Sequence, residues 1–250
     1  MIKVQGSFCY PSPHATILLM RDIFTTKEFK FPYDEYRFPG QASDEVILFV
    51  GRENIAILWW HRTLVAVVSI LLFGTIAWVS GLLQREFGIK IPAIIPTITF
   101  FAAVGVGIFG WWWASALWRK SIGVITNRRL TKFIFTTPFN RHNFSLPLDM
   151  VVDTGAYRKG FKQAIFRLET FTARSSASSS GRSTDNPERV NKKYFYLENI
   201  KMAEDLQHYV NKLLYAFRHH QEHLTTFRPF IPHGTGNRET LMNKYPDYWS

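Results

Sequence analysis

Two long runs of residues without a charge lie close together in the middle of this chain. The first, residues 63–83, has 21 residues, and at about 1.5 Å of rise per residue a helix of this length crosses the roughly 30 Å hydrocarbon core of a bilayer. The second, residues 91–118, has 28 residues and ends in a group of tryptophans: Trp111, Trp112, Trp113 and Trp118. The two runs predict a two-helix transmembrane hairpin with an aromatic belt at the end of the second helix.

The alternative is a water-soluble core, and the mean hydropathy of the chain, -0.08, would by itself indicate one. That value averages the apolar middle with polar ends, so it hides the feature that decides the class. A soluble fold would have to bury both runs, although only residues 84–90 separate them. We therefore expect an integral membrane protein.

The positive charges beside the two runs predict the orientation of the hairpin. The connecting loop carries only Arg85 and Lys90. The outer flanks carry the larger set: Arg52, Arg62, Arg119, Lys120, Arg128, Arg129 and Lys132. Lys and Arg accumulate on the cytoplasmic side of membrane proteins, so both termini are predicted to be cytoplasmic. Glycines at 74, 81, 105, 107 and 110 either allow the helices to approach closely or are ordinary membrane-helix glycines.

From residue 121 the pattern changes to that of a β-rich domain. Residues 121–126 and 130–137 flank a polar turn and predict a tight β-hairpin. Alternating apolar residues predict further strands around 144–148, 166–169 and 193–197. Apolar residues then recur every three or four positions over 201–217, which predicts a helix that packs on the sheet.

These patterns predict an α+β fold in which a two-helix transmembrane hairpin precedes an antiparallel β-sheet domain capped by a C-terminal helix. The predicted parts are an N-terminal cytoplasmic segment (1–54), the hairpin (55–118), the β domain (119–220) and a tail (221–250). The Ser-rich stretch 174–189 is predicted to be a loop, because it has no large apolar residue to bury. The tail either docks on a partner or is poorly ordered.

Three segments, 38–54, 118–133 and 144–156, resemble bacterial membrane-flanked domains of the pleckstrin-homology-like (PH-like) family. The resemblance covers about residues 38–217. It implies a two-helix hairpin in the bacterial cell membrane and a cytoplasmic PH-like domain, with a seven-stranded bent sheet and one capping helix. The chain departs from the family in its N-terminal extension 1–39, in the Pro-containing segment 136–142 and in the Ser-rich stretch.

Five basic residues near the second helix are candidates for contact with anionic lipid headgroups: Arg119, Lys120, Arg128, Arg129 and Lys132. Their closeness in sequence to the helix end suggests that they lie beside the cytoplasmic leaflet, where each cation contributes on the order of 1 kcal/mol. The alternative is that they only set the topology of the hairpin, as basic residues beside membrane helices generally do.

Catalytic motifs are sparse in this sequence. The spacing of His219, Glu222 and His223 fits the H-x-x-E-H pattern of a zinc metallopeptidase, but a catalytic zinc needs a third protein ligand as well. Cys9 is the only cysteine, so one chain can form neither a disulfide nor a thiolate cluster. We therefore expect no cofactor and no enzymatic activity, with the metallopeptidase as a remote alternative.

The expected function is that of a membrane-anchored PH-like binding or scaffold protein. Its expected partners are membrane lipids, including anionic ones, and an unidentified protein or a further copy of the chain. The alternative is an anionic-lipid-binding accessory module of an envelope or lipid process, which the net charge of +11 would suit. Nucleic acid is not an expected partner, because no recognised readout motif accompanies the charge.

Overall fold

The structure is a computed structural model that describes residues 21–26, 28–29, 31, 33–88, 92, 94–176, 194–224, 227–231 and 243. In these ranges the α-helices are α1 (Ile55–Phe87), α2 (Ile94–Lys120), α3 (Phe161–Phe166) and α4 (Ala203–His219). The strands are β1 (Arg21–Asp22), β2 (Tyr36–Arg37), β3 (Ile47–Gly51), β4 (Ile122–Thr126), β5 (Arg129–Phe135), β6 (Arg141–Pro147), β7 (Val151–Tyr157), β8 (Glu169–Ser175) and β9 (Tyr194–Ile200). The predicted α+β class and the C-terminal helix are confirmed.

Helices α1 and α2 form an antiparallel pair, and both are long and apolar enough to cross a membrane. The Asn54 side chain caps α1 by accepting a hydrogen bond from the Ala56 N–H at 2.9 Å. Helix α1 ends at Gly88, whose φ of 63° is a left-handed conformation that glycine adopts without steric cost. Pro96 lies in the first turn of α2, where its missing N–H leaves no helical hydrogen bond unmade.

Two of the five predicted glycines lie where the helices approach each other closely. A Cβ atom added at Gly110 would lie 2.7 Å from Val65 Cγ1, and one at Gly107 would lie 3.3 Å from Ser69 Oγ. At the other three positions a Cβ would meet no described atom within 4 Å: Gly74, Gly81 and Gly105. The small residues at 107 and 110 therefore allow the backbones to pack tightly in the middle part of α2.

The helix pair is inserted between two neighbouring strands of one sheet. Strands β3, β4, β5 and β6 form a four-stranded antiparallel sheet in that order, and β3 pairs with β4 so that Gly51 lies opposite Gly123. Helix α1 begins four residues after β3, and β4 begins two residues after α2. Residues 47–51, which fall in the predicted N-terminal segment 1–54, form a strand of this sheet.

A second sheet and helix α4 complete the main core. Strands β7, β8 and β9 form a three-stranded antiparallel sheet, and α4 packs on β7 and β8. Leu206, Val210 and Leu213 of α4 are fully buried against side chains of both sheets. A Cβ added at Gly123 would lie 1.9 Å from Leu197 Cδ2, so this glycine lets β4 approach β9 closely. Phe230, beyond α4, is buried in the same core, and its N–H donates to the Leu48 carbonyl.

The segment before β3 covers the other face of the four-stranded sheet. Ile23, Tyr36 and Phe38 are buried there against Val124 and Phe133 of the sheet. Strand β1 pairs with β2 in parallel, which holds this segment together. The described part of the predicted N-terminal segment is therefore integral to the β domain, because its aromatic side chains form a second hydrophobic core.

Most sequence-predicted elements of the β domain are found, with one error. The predicted strand at 166–169 is wrong: residues 161–166 form α3, and Arg167 has φ of 51°, which breaks the extended conformation before β8 begins. The predictions for Cys9 and Lys90, for residues 177–189 of the Ser-rich stretch and for the tail, apart from residues 221–224, 227–231 and 243, lie outside the described residues.

Candidate functional site

The β domain has one end that meets the helices and one that lies away from them. We call the first the helix-proximal rim, comprising residues 52–54, 136–142, 158–168 and 201–202, and the second the distal rim, comprising residues 40–46, 127–128 and 148–150. The assignment follows from the register, because β4 begins where α2 ends, and Phe135 of β5 lies opposite Arg141 of β6. In the second sheet, the Asn54 N–H just before α1 donates to the Asn199 carbonyl of β9 at 2.9 Å.

Hydrogen bonds and ring contacts join the helix ends to the β domain. Trp118 Nε1 of α2 donates to the Glu53 carbonyl at 3.0 Å, which ties the last turn of α2 to the start of α1. The Arg52 guanidinium donates to the Ile23 carbonyl at 3.2 Å and lies 4.6 Å from the centre of the Phe29 ring. Burial, with repulsion from Arg119, lowers the pKa of Arg52 to about 10, so it stays protonated at neutral pH. Arg52 therefore holds the N-terminal segment against the short connection between β3 and α1.

A second arginine joins the two helices to each other. Arg62 of α1 donates from Nη2 to Ser115 Oγ of α2 at 2.9 Å, and its guanidinium lies 4.5 Å from the centre of the Trp111 ring. The Ser115 hydroxyl in turn donates to the Trp111 carbonyl at 2.6 Å. Arg62 is the last charge before the uncharged run 63–83, so these contacts locate the polar edge of the apolar part of the helix pair.

A cavity of about 350 Å³ lies between the two helix ends. Its lining is mostly apolar and includes Trp113 and Leu117, with Glu53 and His61 as its ionisable residues. Burial raises the pKa of Glu53, while Lys132 acts in the opposite direction.

Three of the five predicted headgroup residues lie near the helix ends. Arg119 is exposed at the end of α2, and the Lys120 ammonium donates to the Pro138 carbonyl at 2.6 Å. Lys132 lies on β5 opposite Gly123, and Gly123 is the second residue of β4. These three residues therefore lie near the end of α2, and their contact with lipid headgroups stays a prediction.

The other two, Arg128 and Arg129, lie on the distal side of the sheet. Strand β4 has five residues, and at about 3.3 Å each it carries the chain roughly 17 Å from the helix end before the turn. Arg128 pairs there with Asp44, and both side chains are more than half exposed. The structure thus does not bring Arg128 and Arg129 together with the other three cations.

Arg129 belongs to a buried ion pair with Glu45. Arg129 Nη2 lies 2.8 Å from Glu45 Oε2 and Arg129 Nε lies 2.9 Å from Glu45 Oε1, while the Thr126 hydroxyl donates to Oε1 at 2.7 Å. Burial alone would raise the pKa of Glu45, but these hydrogen bonds and one from the Ala42 N–H outweigh it and lower the pKa. The pair holds the segment before β3 against the β4–β5 turn.

Apolar side chains that were not among the sequence-predicted site residues project from the helix-proximal rim. Phe139, in the β5–β6 turn, is 84% exposed, and Phe161 of α3 is 72% exposed. The Phe139 ring lies 6.5 Å from the Trp112 ring of α2, and the Phe166 ring lies 6.2 Å from the Trp60 ring of α1. The exposed cations Arg141 and Lys162 lie on the same rim. The sequence offered one signal for this surface, a phenylalanine inside a turn. Its position beside α2, however, follows only from the pairing register of β5 and β6.

The residues of the metallopeptidase pattern lie at the end of α4. His219 stacks on Tyr215 with 4.4 Å between ring centres, and Glu222 lies 3.6 Å from His220. The side chain of His223 lies outside the described residues. Among the side chains that are described, no three His, Cys, Asp or Glu residues come together as metal ligands.

Comparison with known proteins gives no relative for this chain. It matches no family model, no curated protein and no solved structure.

Proposed function

We propose that this chain is a membrane-anchored, non-catalytic adaptor. Its helix pair holds a PH-like β domain at the cytoplasmic face of a bacterial cell membrane, and the domain binds a protein partner or a second copy of the chain. One observation carries the proposal: the helices are inserted between adjacent strands β3 and β4, with three connecting residues on one side and one on the other. Such a junction fixes the orientation of the domain.

The surface of the helix pair supports the membrane anchor. Large apolar side chains point outward along both helices, and Ile70, Trp78, Phe101 and Ile108 are each 67–69% exposed. A contiguous apolar surface of this length is not stable in water, but the hydrocarbon core of a bilayer covers it without cost. The excess of basic residues on the outer flanks supports a cytoplasmic β domain.

The arrangement of strands supports a PH-like domain. Strands β3 to β9 are seven in number, they divide into sheets of four and three, and α4 follows the last of them. This is the strand count and the helix position that the resemblance implies. In this reading the membrane hairpin is an insertion in the first strand connection of the domain.

Photo-crosslinking in intact cells tests the adaptor. A photoreactive amino acid at exposed Asp149 or Met150 on the distal rim should form adducts with discrete protein bands. Inserting a flexible Gly-Ser linker at each helix junction should change that adduct pattern while the chain stays in the membrane fraction, because the orientation of the domain is lost. The proposal fails if the distal positions form no adduct, or if the linkers leave the pattern unchanged in a folded protein.

The second candidate function is binding of anionic lipid. It is favoured by the grouping of Arg119, Lys120 and Lys132 near the helix ends, beside exposed Arg141 and Lys162. Replacing the first three residues by Gln should reduce the preference of the reconstituted protein for phosphatidylglycerol over phosphatidylcholine. Replacing exposed Arg128 by Gln is the control and should leave the preference unchanged, while Arg129 is kept because it pairs with buried Glu45. Equal effects of the two changes would contradict lipid recognition by the helix-proximal rim.

A further inference from the structure

The helix-proximal rim carries two apolar projections, one beside each long helix. The first is the β5–β6 turn, residues 136–140, with Phe139 at its tip. The second is α3, on which Phe161 and Ile165 are four residues apart and therefore share one face. Phe161 is 72% exposed and Ile165 is 50% exposed, although both lie in a folded domain with buried cores on either side of its sheet.

The β5–β6 turn is fastened against the side of α2. Lys120 Nζ donates to the Pro138 carbonyl at 2.6 Å and lies 5.3 Å from the centre of the Phe135 ring. Within the turn, the Asn140 N–H donates to Thr137 Oγ1 at 3.0 Å. The Phe139 ring then reaches Trp112, eight residues or about 12 Å of helix before Lys120. The turn therefore runs back along the helix towards its apolar part.

Both projections stop at the polar edge of the helix pair. Arg62 and its partners Trp111 and Ser115 locate that edge, and Trp112, which Phe139 contacts, lies between those two partners in sequence. Helix α3 meets α1 at Trp60, two residues before Arg62. If the uncharged run 63–83 spans the hydrocarbon core, this edge coincides with the boundary between acyl chains and headgroups.

The groups around the two projections also suit that boundary. Exposed Arg141 directly follows the β5–β6 turn, and Lys162 lies beside Phe161 on α3. Aromatic side chains with nearby cations are typical of the membrane interface, where the ring enters the acyl boundary and the charge stays among the headgroups. Neither projection needs a protein partner to cover it when a bilayer surrounds the helices.

We propose that the β5–β6 turn and helix α3 insert Phe139, Phe161 and Ile165 into the interfacial layer of the bilayer. The inference rests on the proposed membrane anchor and adds a second attachment to it. The short junctions with the helices orient the domain, and the two projections reinforce that orientation by a direct contact with the lipid. The occupant of these apolar surfaces is therefore the lipid bilayer itself.

Fluorescent labelling of the full chain in nanodiscs tests this inference. A Cys9→Ser background allows one new cysteine at a time to carry an environment-sensitive dye, in discs of mixed phosphatidylcholine and phosphatidylglycerol that hold one copy each. Asn140→Cys and Ala164→Cys place the dye beside Phe139 and on α3, and both native residues are exposed. Asp149→Cys on the distal rim is the matched control, and Ile70→Cys reports on the hairpin itself.

We expect blue-shifted emission and quenching by lipids spin-labelled near the headgroup at positions 140 and 164, and water-like emission at position 149. Adding Phe139→Ser should reduce the quenching at position 140 by roughly half or more, because a polar tip leaves the acyl boundary. The double change Phe161→Ser and Ile165→Ser should do the same at position 164. A change of Phe139 that alters the signal at position 164 equally would indicate unfolding, and a far-UV circular dichroism spectrum decides that point.

The outcomes separate the failure of this inference from failure of the anchor. Water-like emission at 140 and 164 with a lipid-exposed dye at position 70 would overturn the insertion and leave the anchor intact. Water-like emission at position 70 as well would overturn the anchor. Shielding at 140 and 164 that appears only in discs with two copies would show that these surfaces bind a second chain, which also overturns the inference.

Discussion

Glu45 is the residue whose replacement tests the packing of the N-terminal segment most directly. Its side chain is fully buried, and its two oxygens accept four hydrogen bonds, of which two come from Arg129. In Glu45→Gln the amide oxygen can keep the partners of Oε1. The amide NH2 group, however, faces two donors, the Arg129 Nη2 and the Ala42 N–H.

The cost can be worked out from those two lost bonds. Hydrogen bonds to charged groups contribute about 1.5–3 kcal/mol each. Because the Arg129 side chain is 30% exposed and recovers some hydration, we expect a total loss of about 2–4 kcal/mol of unfolding free energy. With a urea dependence of about 1.5 kcal/mol per M, the unfolding midpoint should fall by roughly 1.3–2.7 M.

Pulse proteolysis of the detergent-solubilised chain in urea measures this shift. Asp44→Asn is the matched control, because the Arg128–Asp44 pair is more than half exposed on both sides and should cost no more than about 0.5 kcal/mol. If Glu45→Gln shifted the midpoint no more than Asp44→Asn, the hydrogen bonds of the buried Glu45 carboxylate would not stabilise the fold, and the reasoning would be refuted.

The pH dependence of the stability lost in Glu45→Gln gives a second test. The pKa of Glu45 is lowered in the folded state. The contribution of its carboxylate to the unfolding free energy is therefore fully present above the unfolded pKa of about 4.3 and is lost as pH falls through the folded pKa. The stability difference between wild type and Glu45→Gln should therefore be constant near neutral pH and should close under acid conditions. A difference that grew on acidification would contradict the lowered pKa.

Three further predictions follow from other parts of the chain. Gly123→Ala should destabilise the domain by about 1–3 kcal/mol in the urea assay, because the new Cβ overlaps Leu197. When Gly123→Ala is added to a chain that already carries Leu197→Ala, most of this penalty should disappear, because the overlapping side chain is gone. Gly110→Ile should push the helices apart at Val65, which a longer distance between spin labels on α1 and α2 would detect, whereas Gly105→Ile should not. An impermeant maleimide should label Cys9 only after the membrane is opened, and labelling in intact cells would contradict a cytoplasmic N-terminus.

The elements that the sequence predicts well are those set by a local pattern. The long helices are recognised from the length of their uncharged apolar runs, and the β4–β5 hairpin and α4 from their apolar periodicity, so none of them requires knowledge of its neighbours. Strand β3 is different, because its partner β4 lies beyond the helix pair. Its pattern marks an extended segment but contains no information about a partner on the far side of the hairpin.

The candidate site is harder to predict because it depends on which end of each strand faces the helices. Arg128 is close in sequence to Lys120, yet the intervening strand carries it to the opposite side of the sheet. Phe139 is farther in sequence from α2, yet the return of β5 brings it back beside Trp112. Helix α3 has only six residues, too few for a helical period to be recognised, so its apolar face could not be inferred.

The insertion of the helix pair between β3 and β4 also dictates an order of events during synthesis. A ribosome delivers residue 51 long before residue 122, and the seventy residues between them are the membrane hairpin and its junctions. If the helix pair crosses a membrane as proposed, the first strand of the sheet must wait, unpaired, while the hairpin enters the bilayer. The sheet then closes only after the second crossing has returned the chain to the side it left, so a hairpin arrested after one crossing would leave β3 without its partner β4.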